Sequence, residues 1–178
     1  MVKYLKENKY YGKIAKQRIF EEQANSTDDL LEGYKKAIKA KEGAMLFSVV
    51  GGKLSEGINF SDELGRGLVI VGLPYANKNS TELKEKMNYI DGLHSKNPKH
   101  YNLTGSTYYE SLCIKRVNQS IGRVVRHKDD YACVILLDHR YSNTRINGRI
   151  SNWLMRSFKP EPNMQTTEQD IKTFFTNK

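Results

Sequence analysis

Three short aliphatic runs, "AMLFSVV", "GLVIVGLP" and "ACVILLD", constrain what this chain can fold into more than any other feature. Each has the length of a strand, and they close at Gly51 and Gly52, at Pro74 and at Asp138 respectively. None alternates polar with apolar residues, so each is expected to be covered on both faces, as in a parallel sheet under helices. Helical patterns lie between them. One runs through "DLLEGYKKAIKAKEG", with Leu30, Leu31, Tyr34 and Ile38 on one face, a cap at Thr27 or Asp28, and a stop at Gly43. Others are expected over residues 81–91, 107–127 and 145–158. A polar loop, "GLHSKNPKHYNLTGS", separates the first two, and an uncapped tail follows Pro160 and Pro162. Strands alternating with helices make an α/β layer fold, and 178 residues suit one compact domain.

Two stretches carry candidate chemistry. In "VVGGKLSEGINFSD" a strand runs into Gly51 and Gly52, a polar turn and Gly57. Glycines after a strand let backbone N–H groups approach a phosphate, so the turn is either an anion-binding turn or an ordinary tight one. It is not a Walker A loop, because Phe47 stands where that motif needs glycine and Leu54 where it needs Ser or Thr.

The second stretch is "VNQSIGRVVRHKDDYACVILLDHRY". At 100° per residue, Ile114, Val117, Ile121, Val124 and Val125 gather on one side of a helix and face a core. Arg116, Gln119, Arg123 and Arg126 gather on the other side. They form either a solvated basic face or a row that grips a phosphate through bidentate hydrogen bonds. Gly122 favours the second reading. An exposed helix loses about 1 kcal/mol with glycine in place of alanine, so close approach of another group is expected there.

A net charge of +9 suits a polyanionic partner without naming one. Metal chemistry has little support, since no C-x-x-C or H-E-x-x-H spacing occurs and His94 and His100 fall in the polar loop. Cys113 and Cys133 read as buried free thiols, and two cysteines cannot hold a four-cysteine cluster. No apolar run approaches the roughly 18 residues of a membrane helix. The N-terminus lacks a signal peptide's apolar core, so an intracellular chain is expected.

Together the two stretches are more specific than either alone. The strand with its "GGKLSEGINF" turn and the later "QSIGRVVR" helix resemble motifs V and VI of superfamily-two helicases. The closest resemblance is to the XPD-like iron–sulfur DNA helicases, and within them to the chromosome-loss (ChlR, sister-chromatid cohesion) branch. It extends from about Lys16, where "KQRIFEE" is similar to motif IVa, to about Phe158. The resemblance implies a RecA-like lobe, the second of two, with a mainly parallel sheet that lacks its first strand. Residues 1–160 would form this lobe and residues 161–178 a C-terminal tail. It implies ATP with Mg²⁺ in a cleft completed by an N-terminal lobe, single-stranded or forked DNA as partner, 5′-to-3′ unwinding, and work in DNA repair and cohesion in the nucleus. Gln119, Arg123 and Arg126 would face the nucleotide, with Arg126 as arginine finger. Gly122, Glu56, Gly57 and Asn59 would line the ATP side, Asn59 standing where many such helicases carry an Asp. Gly52, Lys53 and Ser55 would meet the nucleic acid. Asp138 and Arg140 read as structural ties.

Walker A, the D-E-A-H box and the cluster cysteines belong to the first lobe in that family, and none occurs here. The chain therefore reads as the C-terminal part of a helicase: a fragment, a split product or a decayed gene. A catalytically silent nucleic-acid-binding or regulatory module is the alternative. A different nucleotide enzyme on an α/β sheet is weaker, for want of a Gly-rich dinucleotide fingerprint.

Overall fold

The structure, a computed structural model, describes residues 2–8, 18–23, 27–160 and 163–178. It divides into two compact units, Met1–Arg66 with Arg123–Tyr131, and Gly67–Gly122 with Ala132–Lys178. Each unit contains a parallel pair of strands covered by helices, so the α/β expectation holds.

In the first unit a short helix, α1 (Val2–Glu7), precedes β1 (Arg18–Glu21), which pairs in parallel with β2 (Ala44–Phe47). The start of the motif IVa stretch, Lys16 and Gln17, lies outside the described residues. The connection is α2 (Thr27–Lys39), which buries Tyr34 and Ala37. The Tyr34 ring meets Phe20 and Phe60 edge-on, at 5.7 and 6.1 Å between centroids, and its hydroxyl donates to the Leu64 carbonyl at 2.6 Å. Thr27 and Asp28 lie inside the first turn of the helix. The helix also ends earlier than Gly43. Lys41 takes a left-handed conformation (φ 56°), its N–H donating to Ile38 O at 2.9 Å, while the Glu42 N–H reaches Ala37 O at 3.2 Å. These two bonds are the Schellman ending, with lysine where glycine usually stands.

In the second unit β3 (Gly67–Val71) pairs in parallel with β4 (Cys133–Leu137), Gly67 opposite Cys133 and Val71 opposite Leu137. The covering helix is α5 (Gly105–Val124), whose Cys113, Ile114, Val117 and Ile121 pack with Ile70, Leu73, Tyr141, Ile146 and Ile150. Only one face of this strand pair is buried. Val69, Val71 and Leu137 are each about half exposed, so the expected two-sided cover is not met among the described residues.

Burial pushes the Cys113 thiol up to about 11, and both cysteines are free, Cys133 only partly buried. Between β3 and α5, α4 (Thr81–Lys96) is capped by Ser80 and runs into the stretch read as loop, taking His94 with it. At the end of β4 Asp138 caps a 3-10 turn (His139–Ser142) and holds the Arg140 guanidinium by two bonds, at 2.9 and 2.7 Å. These bonds hold its carboxyl well below the usual range.

The helix expected over 145–158 is broken into α6 (Thr144–Asn147) and α7 (Asn152–Met155). Asn118 explains the break: its side chain accepts from Ser151 N–H at 3.1 Å and donates to Arg149 O at 3.2 Å. Those are backbone groups that a continuous helix would have paired with itself. The last segment is a helix, α8 (Met164–Thr176), capped by the Asn163 side chain, not an uncapped tail.

The ending of α2 yields a stability test. A non-glycine residue in the left-handed region costs roughly 1–2 kcal/mol. Lys41→Gly should therefore raise unfolding free energy by about 1 kcal/mol in urea denaturation, and Lys41→Ala should not. Equal stability of the two variants would contradict the assigned backbone conformation.

Candidate nucleotide and nucleic-acid site

The residues singled out as motif V begin where β2 ends. The chain turns through Gly51 (φ 84°), a conformation open to glycine, and enters α3 (Lys53–Gly57) after Gly52. Four of the turn's N–H groups are already engaged, that of Gly52 by Val49 O at 2.8 Å. The Glu22 carboxylate, just beyond β1, accepts from Val49 N–H at 2.9 Å and Leu54 N–H at 3.1 Å. Ser55 Oγ accepts from Gly51 N–H at 2.8 Å and donates to Gly52 O at 3.0 Å. A Cβ on Gly52 would lie 3.0 Å from a Glu22 oxygen and 2.9 Å from Val49 O, so glycine lets the carboxylate close in. Lys53 and Gly57 are exposed, and the Glu56 side chain lies outside the described ones.

The end of α5 comes back to the same segment. Its last turn, Arg123 and Val124, belongs with the first unit. Arg123 Nη1 donates to Asn59 Oδ1 at 3.2 Å, and the Arg123 carbonyl accepts from Phe60 N–H at 2.8 Å. The segment after β2 and the end of α5 thus meet at Asn59–Phe60 and Arg123. Gly65 closes the fold behind them, because a Cβ there would collide with Phe60 O and lie 3.0 Å from Val124.

Beyond Val124 the chain leaves the helix, and Arg126 stands in the loop that follows. This corrects the expectation that it shares a helical row with Arg116, Gln119 and Arg123. Arg116 departs from that row in another way: it is partly buried and donates to Pro74 O at 3.3 Å. Gln119 is exposed on α5 in the second unit, beside a shallow depression of about 680 Å³ lined also by Asn118, Lys115 and Arg149. Among the described residues, a Cβ on Gly122 would meet nothing within 4 Å, so the close approach expected there is not seen among them.

Residues 1–157 match the helicase C-terminal domain family. The chain belongs to that family.

It is 41% identical over 167 residues to the ATP-dependent DNA helicase chl1 of Schizosaccharomyces pombe, covering 92% of this chain and 20% of that protein. With the ATP-dependent DNA helicase DDX11 of Danio rerio it shares 43% identity over 177 residues, covering 92% of this chain and 19% of the relative. A solved structure of XPD in its apo form is similar with a TM-score of 0.50 and 25% identity, over 74% of this chain and 26% of that one. The helicase lobe is therefore homologous to the XPD and Chl1 helicases that its motifs resemble. It spans about a fifth of the length of those curated relatives.

Several residues that organise this lobe carry no signal in the sequence pattern. Asp130 is the main one. Its side chain is fully buried, and it accepts from Arg66 Nη1 at 2.9 Å and from three backbone N–H groups, those of Asp62, Arg126 and Tyr131. Burial pushes its carboxyl up, but the bonds from Arg126, Arg66, Tyr131 and Asp62 outweigh that and hold it below the ordinary range. Asp62 Oδ1 lies 3.2 Å from His127 Nε2. Asp62, His127 and Asp130 thus bring three ligand-type atoms within 4.8 Å of one another. The donors already on Asp130 commit it to the protein, so the cluster is a polar tie rather than an open metal cage. No helix of the described residues is long and apolar enough to cross a membrane.

Glu22 gives a direct test of how the motif V turn is held. Glu22→Ala leaves the Val49 and Leu54 amides without their acceptor, at a cost of about 1–3 kcal/mol. Hydrogen exchange at both amides should accelerate, and Glu22→Gln, which keeps an acceptor, should show a smaller change. Unaltered exchange in the alanine variant would mean that the carboxylate does not organise the turn.

Proposed function

We propose that the chain is the C-terminal motor lobe of an ATP-dependent DNA helicase, residues 1–160 forming the lobe and residues 161–178 a C-terminal extension. The observation that carries this reading is the Asn59–Arg123 contact, which joins the motif V segment to the motif VI helix within one compact unit. Family membership and homology to Chl1, DDX11 and XPD support the same assignment. Its substrates are ATP and single-stranded or forked DNA, and its setting is repair and cohesion of chromosomes in the nucleus, with 5′-to-3′ unwinding.

ATP binds between this lobe and an N-terminal lobe that carries Walker A, the D-E-A-H box and the iron–sulfur cluster. The groups here suit the anionic side of that cleft. Arg123 and Arg126 are permanent cations with planar forks that match phosphoryl oxygens, while Gln119 supplies a neutral donor. Asn59 orients Arg123 and can hydrogen-bond a ribose hydroxyl, with Gly122, Glu56 and Gly57 on the same nucleotide side. Mg²⁺, when bound with ATP, neutralises phosphate charge, and its ligands come from the other lobe. Arg126 acts when charge spreads over the γ-phosphoryl oxygens in the transition state, as an arginine finger.

On the nucleic-acid side the exposed Lys53 is the cation for the DNA backbone. Gly52 and Ser55 serve by shaping the turn that presents it, since the Val49 and Leu54 N–H groups are taken by Glu22 and that of Gly51 by Ser55 itself.

A polypeptide of these 178 residues should show no ATP turnover above background, because nothing in it can cradle the β- and γ-phosphates as Walker A does. In a two-lobe protein, Arg126→Ala should lower kcat by about 10³-fold or more. ATP and DNA affinities should change far less, because the interaction develops in the transition state. Arg126→Lys should rescue poorly, as a point charge lacks the planar fork. Lys115, exposed on α5, is the control, since Arg116 is tied to Pro74. Equal, mild effects of Lys115→Ala and Arg126→Ala would overturn the assignment.

A further inference from the structure

Arg126 sits in a loop, and a loop does not by itself hold a side chain to the fraction of an ångström that transition-state contact needs. Its backbone must therefore be fixed by something else. α5 stops at Val124, and the Arg126 N–H donates instead to Asp130 Oδ2 at 3.1 Å.

The other oxygen of the same carboxylate reaches the rest of the unit. Asp130 Oδ1 accepts from Asp62 N–H at 3.2 Å, Tyr131 N–H at 2.9 Å and Arg66 Nη1 at 2.9 Å. Arg66 in turn donates to Tyr131 O at 2.7 Å, and its guanidinium lies 3.9 Å over the Tyr131 ring. Asp62 adopts a left-handed backbone (φ 57°), which persists only where the surroundings over-determine it. The Asp130 bond to its N–H is part of that restraint, and the His127 imidazole at 3.2 Å from Asp62 Oδ1 is another. Asp62 closes the segment that starts at the motif V turn. One buried carboxylate thus spans the end of motif V, the entry to β3 and the residue read as the finger.

We infer that Asp130 is a positioning residue for Arg126: it fixes the Arg126 backbone against the motif V segment and acts on ATP hydrolysis only through that arginine. The inference rests on the finger reading given above. It differs from a general packing role in one consequence. If Asp130 works through Arg126, its loss does nothing once Arg126 is gone.

The test is a double-mutant cycle on kcat in a two-lobe protein, with Asp130→Asn, Arg126→Ala and the pair. Asp130→Asn should lower kcat by about 10²-fold, the effect of misplacing a catalytic group by roughly 1 Å, with KM for ATP little changed. The pair should be no slower than Arg126→Ala alone. In the 178-residue chain, Asp130→Asn should also speed hydrogen exchange at the Asp62, Arg126 and Tyr131 amides while leaving those of α2 unchanged.

If Asp130→Asn slows the Arg126→Ala protein by the same factor as the unsubstituted one, the residue is merely structural and the inference fails. If Arg126→Ala is slow and Asp130→Asn is not, the inference fails while the finger reading stands. If Arg126→Ala itself runs at the full rate, the finger reading falls and takes this inference with it. Should Asp130→Asn not fold, the same cycle is run with Arg66→Lys, which keeps the charge beside Asp130 but loses the guanidinium whose Nη1 bonds both Asp130 and Tyr131 O. The same non-additivity is then expected, and full additivity overturns the inference.

Discussion

A buried carboxylate is costly unless every oxygen finds a donor, and Asp130 meets that condition from four directions. The segments around Asp62–Arg66 and Arg126–Tyr131 meet this requirement together. To supply the donors, the chain after α5 must bend back at Arg126, Asp62 must take a left-handed turn, and Arg66 must lie over Tyr131. The bonds hold the Asp130 carboxyl below its ordinary range against the upward push of burial. Its contribution to stability is therefore complete above the unfolded-state carboxylate range, and is lost only as pH falls through the lowered folded value. At neutral pH the tie is fully formed.

The motif V turn is built by the same logic with a different acid. Glu22 and Ser55 satisfy three of the N–H groups that a strand-to-helix turn leaves open, those of Val49, Leu54 and Gly51. Asn59 then orients Arg123, and Phe60 caps the carbonyl end of α5. Polar groups fixed in advance are what an electrostatic catalyst needs, since reorganisation is already complete when charge develops. The Arg123 guanidinium is thus held by an internal hydrogen bond, and the Arg126 backbone by Asp130.

The periodic parts of this structure were legible in the sequence. The buried stripe of α5, from Ile114 through Val117 and Ile121 to Val124, follows directly from 100° spacing, and the aliphatic runs became β2, β3 and β4. What spacing could not show was capture by distant groups. β1 is four residues with charge at both ends, recognisable as a strand only beside β2. Asn118 breaks the helix after Asn147 from 33 residues away, by holding the Ser151 N–H. Asp130 reaches partners 68 and 64 residues distant. For the same reason the sequence pattern predicts helix through Arg126: the apolar pattern continues to Val125, while the acid that takes over the Arg126 N–H lies beyond it. Motif spacing drew attention to Arg123 and Arg126, but not to the residues that hold them.

The central claim is that Arg126 is held ready by the protein and engages only when transition-state charge appears. Arginine side-chain NMR on a two-lobe protein labelled with ¹⁵N-arginine tests this most directly. The Arg126 guanidinium resonance should move strongly with ADP–aluminium fluoride, a planar mimic of the transferring phosphoryl group, and little with a non-hydrolysable ATP analogue. An Arg126 signal that shifts equally with both, or with neither, would contradict the account.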